Sequence, residues 1–498
     1  MSLRRNIVAN YASQIYVAIV GIAMLPLYVR YLGVEAYGLI GFYTMMQSWF
    51  SMLDLGLSPT ISRETAKYFG GGLSGREFRQ LFRSLSVIFV LVAIVGGGGI
   101  ALFSADIATR WLKFKLLPLR EVVIAIQVMG VTAALRWLGG LYRGVVSGAE
   151  RQVSLAAITA LIATLRFFAV FASMWFFGYT PRVFFLHQLA VAAVEIALLA
   201  VSSYRLLPRH DEIVGVTRWS LDSVKPLLKF SLTIAFTSAV WIAVTQSDKL
   251  ILSGLLDLAD YGYFSLAVTV AGGITMVIAP ISAAVTPRLA RLHVEGRHDE
   301  LLVMYRKATR LTTAVAGTIT VALVICAEEA LYAWTGNRAL ANKAARILQL
   351  YAVGNGLLAV GAFPFYLQYA RGNLSYHLIG NLLIAIFLFP ALVIAARQFG
   401  AVGAGYVWVA MNVLYLFLWV AYVHHKLTPG LHVHWMWSDI GRTLAPILAL
   451  GATIFAAKPL IETRVEGLIF SLISGLILAT PSLFQFRRER RDLVPVRA

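Results

Sequence analysis

Apolar windows of about twenty residues recur from one end of this chain to the other. That recurrence restricts the fold more than any other feature. A helix rises 1.5 Å per residue and needs ~20 mostly apolar residues to cross the hydrocarbon of a bilayer. Windows of this kind lie near 7–29, 37–60, 82–104, 118–142, 153–177, 183–204, 229–254, 261–286, 310–333, 345–369, 375–396, 401–423, 440–457 and 465–484, about fourteen in all. Composition agrees. Of 498 residues, 59% are hydrophobic and only 13% charged, whereas soluble domains carry about 25% charged residues. A soluble globule this apolar would have no polar surface to offer water. The expected class is an all-α polytopic membrane protein with no large soluble domain.

The net charge of +19 raises the question of nucleic acid, but the basic residues sit in short loops between apolar windows. That placement is the topology signal of membrane proteins, and no nucleic-acid partner is expected. With fourteen spans and a cytoplasmic N-terminus, about 28 Lys and Arg fall in cytoplasmic segments and about 12 on the other side. The largest cluster on that other side is Arg110, Lys113, Lys115 and Arg120. An odd span count would place the basic tail, Arg487 to Arg497, on the wrong face. Both termini are therefore expected in the cytoplasm. The first window follows Arg4-Arg5 but is too long for a signal peptide, and no small-residue cleavage site follows it, so an uncleaved first helix is expected. Cys326 is the only cysteine, which excludes an intramolecular disulfide and a cysteine metal cluster.

Two connections read alike. One is Tyr31-Leu32-Gly33-Val34-Glu35-Ala36-Tyr37-Gly38, and the other is Leu255-Leu256-Asp257-Leu258-Ala259-Asp260-Tyr261-Gly262. Each is a short acidic turn that ends in Tyr-Gly and opens a helix. A basic exit follows the second helix of each pair, at Arg63 and at Arg288. The copies are about 224 residues apart with six spans between them, and an even number preserves orientation. Duplication predicts two parallel pseudo-repeats, an arrangement in which transporters hold substrate between the halves. Convergence of short turns on Gly and Tyr is the plain alternative.

Ionisable and polar groups at membrane depth are costly and ask for a reason. Gln47, Ser51 and Asp54 share one helix face, as do Asn6, Asn10 and Ser13, and as do Thr233, Thr237, Trp241, Thr245 and Asp248. These stripes either line a shared polar cavity or join helices by hydrogen bonds. Arg166 and Glu195 lie near the middle of the fifth and sixth windows. They form an ion pair, or Arg166 meets an anionic substrate. Arg136 and Arg143 are two turns apart, and Arg143 is expected to snorkel to the cytoplasmic surface. Asp248 and Lys249 are adjacent and so point about 100° apart on a helix. The nine histidines show no zinc-protease pattern. No phosphate-binding Gly-Lys loop, nucleophile elbow or kinase set is present. No cofactor, no metal and no enzymatic chemistry are expected, and any driving energy comes from H⁺ or Na⁺, from membrane potential or from the substrate's own gradient.

Several stretches, taken in order, resemble the Wzx-type polysaccharide flippases of the multidrug/oligosaccharidyl-lipid/polysaccharide exporter superfamily. They are Tyr31-Leu32-Gly33 with Tyr37-Gly38, Leu53-Asp54-Leu55-Gly56-Leu57 with Ser62-Arg63-Glu64, and Tyr142-Arg143-Gly144-Val145 with Gly148-Ala149-Glu150-Arg151. The last is Gln246-Ser247-Asp248-Lys249-Leu250-Ile251-Leu252-Ser253 with Gly262-Tyr263-Phe264-Ser265-Leu266-Ala267. The resemblance covers about the first 310 residues.

It implies two six-helix lobes around a central cavity, at 1–204 and 229–424, joined by a cytoplasmic linker at 205–228. Two extra helices and a basic tail follow at 425–498. It also implies a bacterial inner-membrane protein that moves undecaprenyl-pyrophosphate-linked oligosaccharide to the periplasmic leaflet. Polysaccharide polymerase and chain-length proteins would be its partners. The candidate substrate residues are Asn10, Gln47, Asp54, Arg63, Arg166, Thr237, Asp248, Lys249 and Arg288, and the candidate coupling residues are Asp54, Glu195 and Asp248. Two alternatives stand beside this reading. A multidrug exporter of the same superfamily predicts an acidic cavity. A glycan polymerase predicts a bulky outer loop, and the longest one drawn here, 105–117, is short.

Overall fold

The computed structural model describes residues 3–54, 56–208 and 225–491. Most of the expected linker, 209–224, and the end of the tail, 492–498, lie outside the described residues. Every regular element among the described residues is a helix. Within hydrocarbon each N–H and C=O must be satisfied inside its own segment, and a helix does this. Among the described residues, eleven helices are long and apolar enough to cross a membrane. One of them, Ser375–Leu427, has 53 residues, enough at 1.5 Å per residue for two passes. Gly400 breaks it with φ 60° and ψ −142°. The windows 375–396 and 401–423 lie on either side of that break.

The chain divides into two compact units, Met1–Gly262 and Tyr263–Ala498. The first contains α1 (Leu3–Leu32), α2 (Val34–Ser51), α3 (Leu57–Phe69), α4 (Gly75–Leu102), α5 (Leu119–Gly148), α6 (Gln152–Phe177), α7 (Pro181–Tyr204) and α8 (Lys225–Leu255). It also holds the start of α9 (Leu258–Val294). The sequence window 37–60 is not one helix. It breaks between α2 and α3, where Gly56 takes a left-handed φ of 71°. Asp54 caps the restart: its carboxylate accepts from the Ser58 hydroxyl at 2.6 Å and from the Ser58 amide at 3.2 Å. Such capping satisfies amides that a helix start leaves without partners.

The two Tyr-Gly turns pack on each other. A Cβ at Gly38 would strike the Leu258 carbonyl, and one at Gly262 would strike the Val34 carbonyl. Positions 34 and 258, like 38 and 262, are 224 apart, so each copy offers the other the equivalent atom. Only glycine permits backbones this close.

The segment before α5 clamps both turns. Buried Glu35 accepts from the amides of Lys115, Leu116 and Leu117 at 2.5, 2.8 and 2.9 Å. Lys115 Nζ lies 2.6 Å from Asp257 Oδ2, Lys113 Nζ donates to the Leu255 carbonyl at 2.9 Å, and Trp111 Nε1 donates to Ser253 Oγ at 3.0 Å. The hydrogen bond and charge of Asp257 hold the Lys115 ammonium above its ordinary pKa. Two members of the basic cluster on the sparse side of the charge tally thus have local partners here.

The second unit holds the rest of α9, then α10 (His298–Ile325), α11 (Ala327–Thr335), α12 (Arg338–Ala370), α13 (Ser375–Leu427), α14 (Leu431–Ala456) and α15 (Arg464–Arg491). Tyr305, Phe363, Leu367, Val420 and Trp435 centre its core. The last two helices dock on α10. Trp435 Nε1 donates to Thr309 Oγ1 at 3.0 Å, and Thr318 and Ser482 share a hydrogen bond at 3.1 Å. Gly451 leaves room for Val321. Buried Asp439 takes Arg306 at 2.7 Å and Arg310 at 3.6 Å.

Candidate functional site

Three arginines gather inside the first unit, on α5 and α6. Arg136 and Arg143 are seven residues apart on α5, and Gln188 and Glu195 are seven apart on α7. Seven residues are nearly two full turns, so each pair shares a helix face. The two helices run in the same direction and form two rungs. Arg136 Nη2 donates to Gln188 Oε1 at 3.3 Å, and Arg143 Nη2 donates to Glu195 Oε1 at 2.9 Å. Arg166, on α6, reaches the other oxygen of Glu195 at 3.3 Å. One carboxylate thus faces two guanidinium groups, with a third two turns away.

The cluster has a second layer. The Arg136 guanidinium lies 5.6 Å from the centre of the Tyr43 ring, within cation–π reach. Gln47 Nε2 donates to the Tyr43 hydroxyl at 2.9 Å. Thr159 Oγ1 accepts from Arg143 Nη1 at 3.2 Å. The structure therefore ties Gln47, Arg166 and Glu195 of the sequence candidates into one network through Tyr43, Arg136 and Gln188. Arg143, expected to snorkel, makes a charge-assisted hydrogen bond to Glu195 while its side chain stays 41% exposed.

Arg166 sits in an irregular stretch. Residues Leu165–Ala169 form a π-turn, one residue wider than the α-helix around it. Turns of this kind gather at functional sites. Side chains from neighbouring helices hold three successive carbonyls of the turn. His187 Nε2 donates to Leu165 O at 2.9 Å, Gln188 Nε2 to Arg166 O at 3.2 Å and the Tyr28 hydroxyl to Phe167 O at 3.2 Å.

Three arginines against one glutamate leave a net charge of +2. The Nε groups of Arg136 and Arg166 are buried without a hydrogen-bond partner in the structure. Buried donors left unpaired cost about 1–3 kcal/mol or more each. A group that accepts several hydrogen bonds and carries negative charge answers both needs, and phosphate does so with guanidinium in particular.

The remaining candidates lie elsewhere. Asn10 is exposed on α1 and accepts from Gln14 at 3.0 Å. Arg63 pairs with buried Glu64 at 2.8 Å on α3, and Lys67 shares that carboxylate. Thr237 is half-buried on α8. Asp248 is buried, and its Oδ1 accepts from the Lys249 amide at 2.7 Å. Lys249 Nζ binds Gln246 Oε1 at 2.9 Å and the Thr245 carbonyl at 3.3 Å. Arg288 is exposed, in the second unit. Sequence reasoning did not select Tyr43, Gln188, His187 or Tyr28. The matched seven-residue spacings of Arg136/Arg143 and Gln188/Glu195 were a visible signal for Gln188. Nothing in the sequence marks the π-turn.

Residues 3–293, more than half of the chain, match the family described as polysaccharide biosynthesis protein. The chain belongs to that family. A Shigella flexneri relative named "Putative O-antigen transporter" is 20% identical over 421 residues, covering 82% of this chain and 94% of the relative. Among solved structures, the lipid II flippase MurJ in an inward closed conformation superposes with a TM-score of 0.73 at 13% identity, covering 97% of this chain and 99% of that one. An inward-facing MATE-family multidrug resistance transporter of the MOP superfamily gives 0.67 at 14% identity, covering 83% and 94%. A MOP-superfamily transporter from Pyrococcus furiosus gives 0.54 at 16% identity, covering 86% and 94%. These likenesses show the fold: this polysaccharide biosynthesis family member is an integral membrane protein with the many-helix fold of those structures.

Proposed function

We propose that this protein carries undecaprenyl-pyrophosphate-linked oligosaccharide from the cytoplasmic to the periplasmic leaflet of a bacterial inner membrane, and performs no covalent chemistry on it. The observation that carries this reading is the cluster of Arg136, Arg143 and Arg166 with one carboxylate and two unpaired buried Nε–H groups. Charge at membrane depth faces the protein interior and marks the path of a polar cargo. A net positive site suits pyrophosphate and disfavours organic cations, which tilts the reading away from multidrug export. Gln47 and Tyr43 offer hydrogen bonds to sugar beside the arginines. The S. flexneri relative's name and the resemblance of the motifs support the same cargo.

Transport proceeds by alternating access across fourteen spans, with both termini in the cytoplasm and with H⁺ or Na⁺ as the coupling ion. Asp54, Glu195 and Asp248 are the coupling candidates, and Glu195 is the one bonded to the arginines. Polymerase and chain-length proteins receive the flipped product.

The test is reconstitution in proteoliposomes with a prenyl-pyrophosphate-linked disaccharide, followed by the accessibility of its sugar to a membrane-impermeant enzyme. Wild type should expose the inner-leaflet pool, and Arg166→Glu should not. Equal flipping by that variant removes the cationic-site assignment. Efflux of a cationic dye with no lipid-linked sugar movement would establish multidrug export instead.

A further inference from the structure

The π-turn raises a separate question: why three neighbouring side chains spend their donors on its carbonyls. A widened turn costs regular i→i−4 hydrogen bonds and persists only where its surroundings hold it. Here the holding groups come from two different helices. Tyr28 projects from α1, while His187 and Gln188 project from α7. His187 uses both ring nitrogens. Its Nε2 contacts a carbonyl, which only accepts, so Nε2 carries the proton and Nδ1 is the acceptor. The donor to Nδ1 is the Ser173 hydroxyl at 2.8 Å. Leu165 opens the π-turn and Ser173 lies one helical turn beyond its end, so one imidazole reaches from the first carbonyl of the turn to the helix that follows.

Gln188 has both ends in use. Its amide donates to the Arg166 carbonyl, and its oxygen accepts from Arg136. It is buried, with 3% of its surface exposed. The amide thereby joins the backbone of one arginine to the side chain of another. Relaxing the π-turn to α geometry would rotate the residues on one side of it by about 100° relative to the other, the angle per residue of an α-helix. The Arg166 guanidinium would then leave Glu195.

We propose that His187, Gln188 and Tyr28 are positioning residues that hold the π-turn so that Arg166 and Arg136 present their guanidinium groups together to the diphosphate of the ligand. The inference rests on the cationic-site reading above. It adds that the specificity of the site for a diphosphate is set by a backbone irregularity and its three braces. None of the three needs to touch the ligand.

The test uses the full-length protein in detergent micelles, with farnesyl diphosphate as the probe and titration calorimetry as the readout. Arg166→Gln should bind about tenfold more weakly than wild type. His187→Phe removes the brace and should also lose about tenfold. His187→Gln keeps a donor at the position of Nε2 and should bind within about threefold of wild type. In the Arg166→Gln background, His187→Phe should add less than about twofold, because its effect passes through Arg166.

If wild type does not bind the probe, or Arg166→Gln binds as wild type does, the cationic-site reading falls and this inference falls with it. If Arg166→Gln weakens binding while His187→Phe does not, only the inference falls. An equal loss from His187→Phe in both backgrounds marks a general structural role and also overturns it. Should His187→Phe fail to fold, Tyr28→Phe takes its place in the same cycle. It deletes one hydroxyl and should cost about threefold in the wild-type background only, and wild-type affinity would overturn the inference.

Discussion

Glu195 is the point where stability and ligand affinity should move in opposite directions. Replacing it with Gln keeps shape and removes one negative charge from between Arg143 and Arg166. At an effective dielectric of about 20, two unit charges 4 Å apart attract by about 4 kcal/mol. Two arginines on one carboxylate therefore gain about 8 kcal/mol before desolvation is counted. Removing one partner of a buried pair costs about 3–5 kcal/mol. Glu195 is 13% exposed, but Arg166 is 25% and Arg143 41% exposed, so water recovers part of the loss.

The expected net cost of Glu195→Gln is about 2–3 kcal/mol. At about 1–2 °C per kcal/mol for a chain of this size, the unfolding midpoint should fall by about 2–6 °C. The same change raises the charge of the cluster from +2 to +3. Binding of farnesyl diphosphate should then tighten by about tenfold, which is about 1.4 kcal/mol. Thermal unfolding in detergent followed by tryptophan fluorescence gives the first number, and calorimetry at two salt concentrations gives the second. The double variant Arg143→Gln/Glu195→Gln should recover about half of the lost stability, because one of the stranded cations is gone. An unchanged midpoint would show that Glu195 does not carry the pair energy described. Weaker diphosphate binding by Glu195→Gln would refute the idea that the cluster is a cation site with a partial counterion.

Three further outcomes follow from the geometry. Gly38→Val and Gly262→Val each drive a side chain into the carbonyl of the partner turn. Each should cost about 2–3 kcal/mol, and the pair less than the sum because both contacts lie in one packed junction, as thermal unfolding would show. Glu35→Gln leaves part of the amide nest at 115–117 without an acceptor. It should cost about 2 kcal/mol and raise protease cleavage within 111–117. In the second unit, Asp439→Asn removes the buried negative charge that Arg306 and Arg310 share. It should cost about 3 kcal/mol while leaving farnesyl diphosphate binding at the arginine cluster unchanged.

Much of this molecule was decided by the chain read as a string. Where hydrocarbon is the solvent, a long apolar window has one low-energy backbone, so the all-α class and most of the long apolar helices were legible. The paired turns at 31–38 and 255–262 were visible too, as a repeated acidic motif ending in Tyr-Gly, but their packing on each other was not. The Arg166–Glu195 pair was one of two readings the sequence allowed, because unpaired charge at that depth is too costly to leave. Other features came from three dimensions. The break at Gly56, the capture of Arg143 by Glu195 and the capping by Asp54 depend on which atoms lie within about 3 Å after folding. Periodicity fixes which face a side chain takes but not what stands opposite it. The π-turn is the clearest case. Leu165 to Ala169 read as ordinary helix, and only donors from α1 and α7, distant in sequence, make the wider turn the stable one.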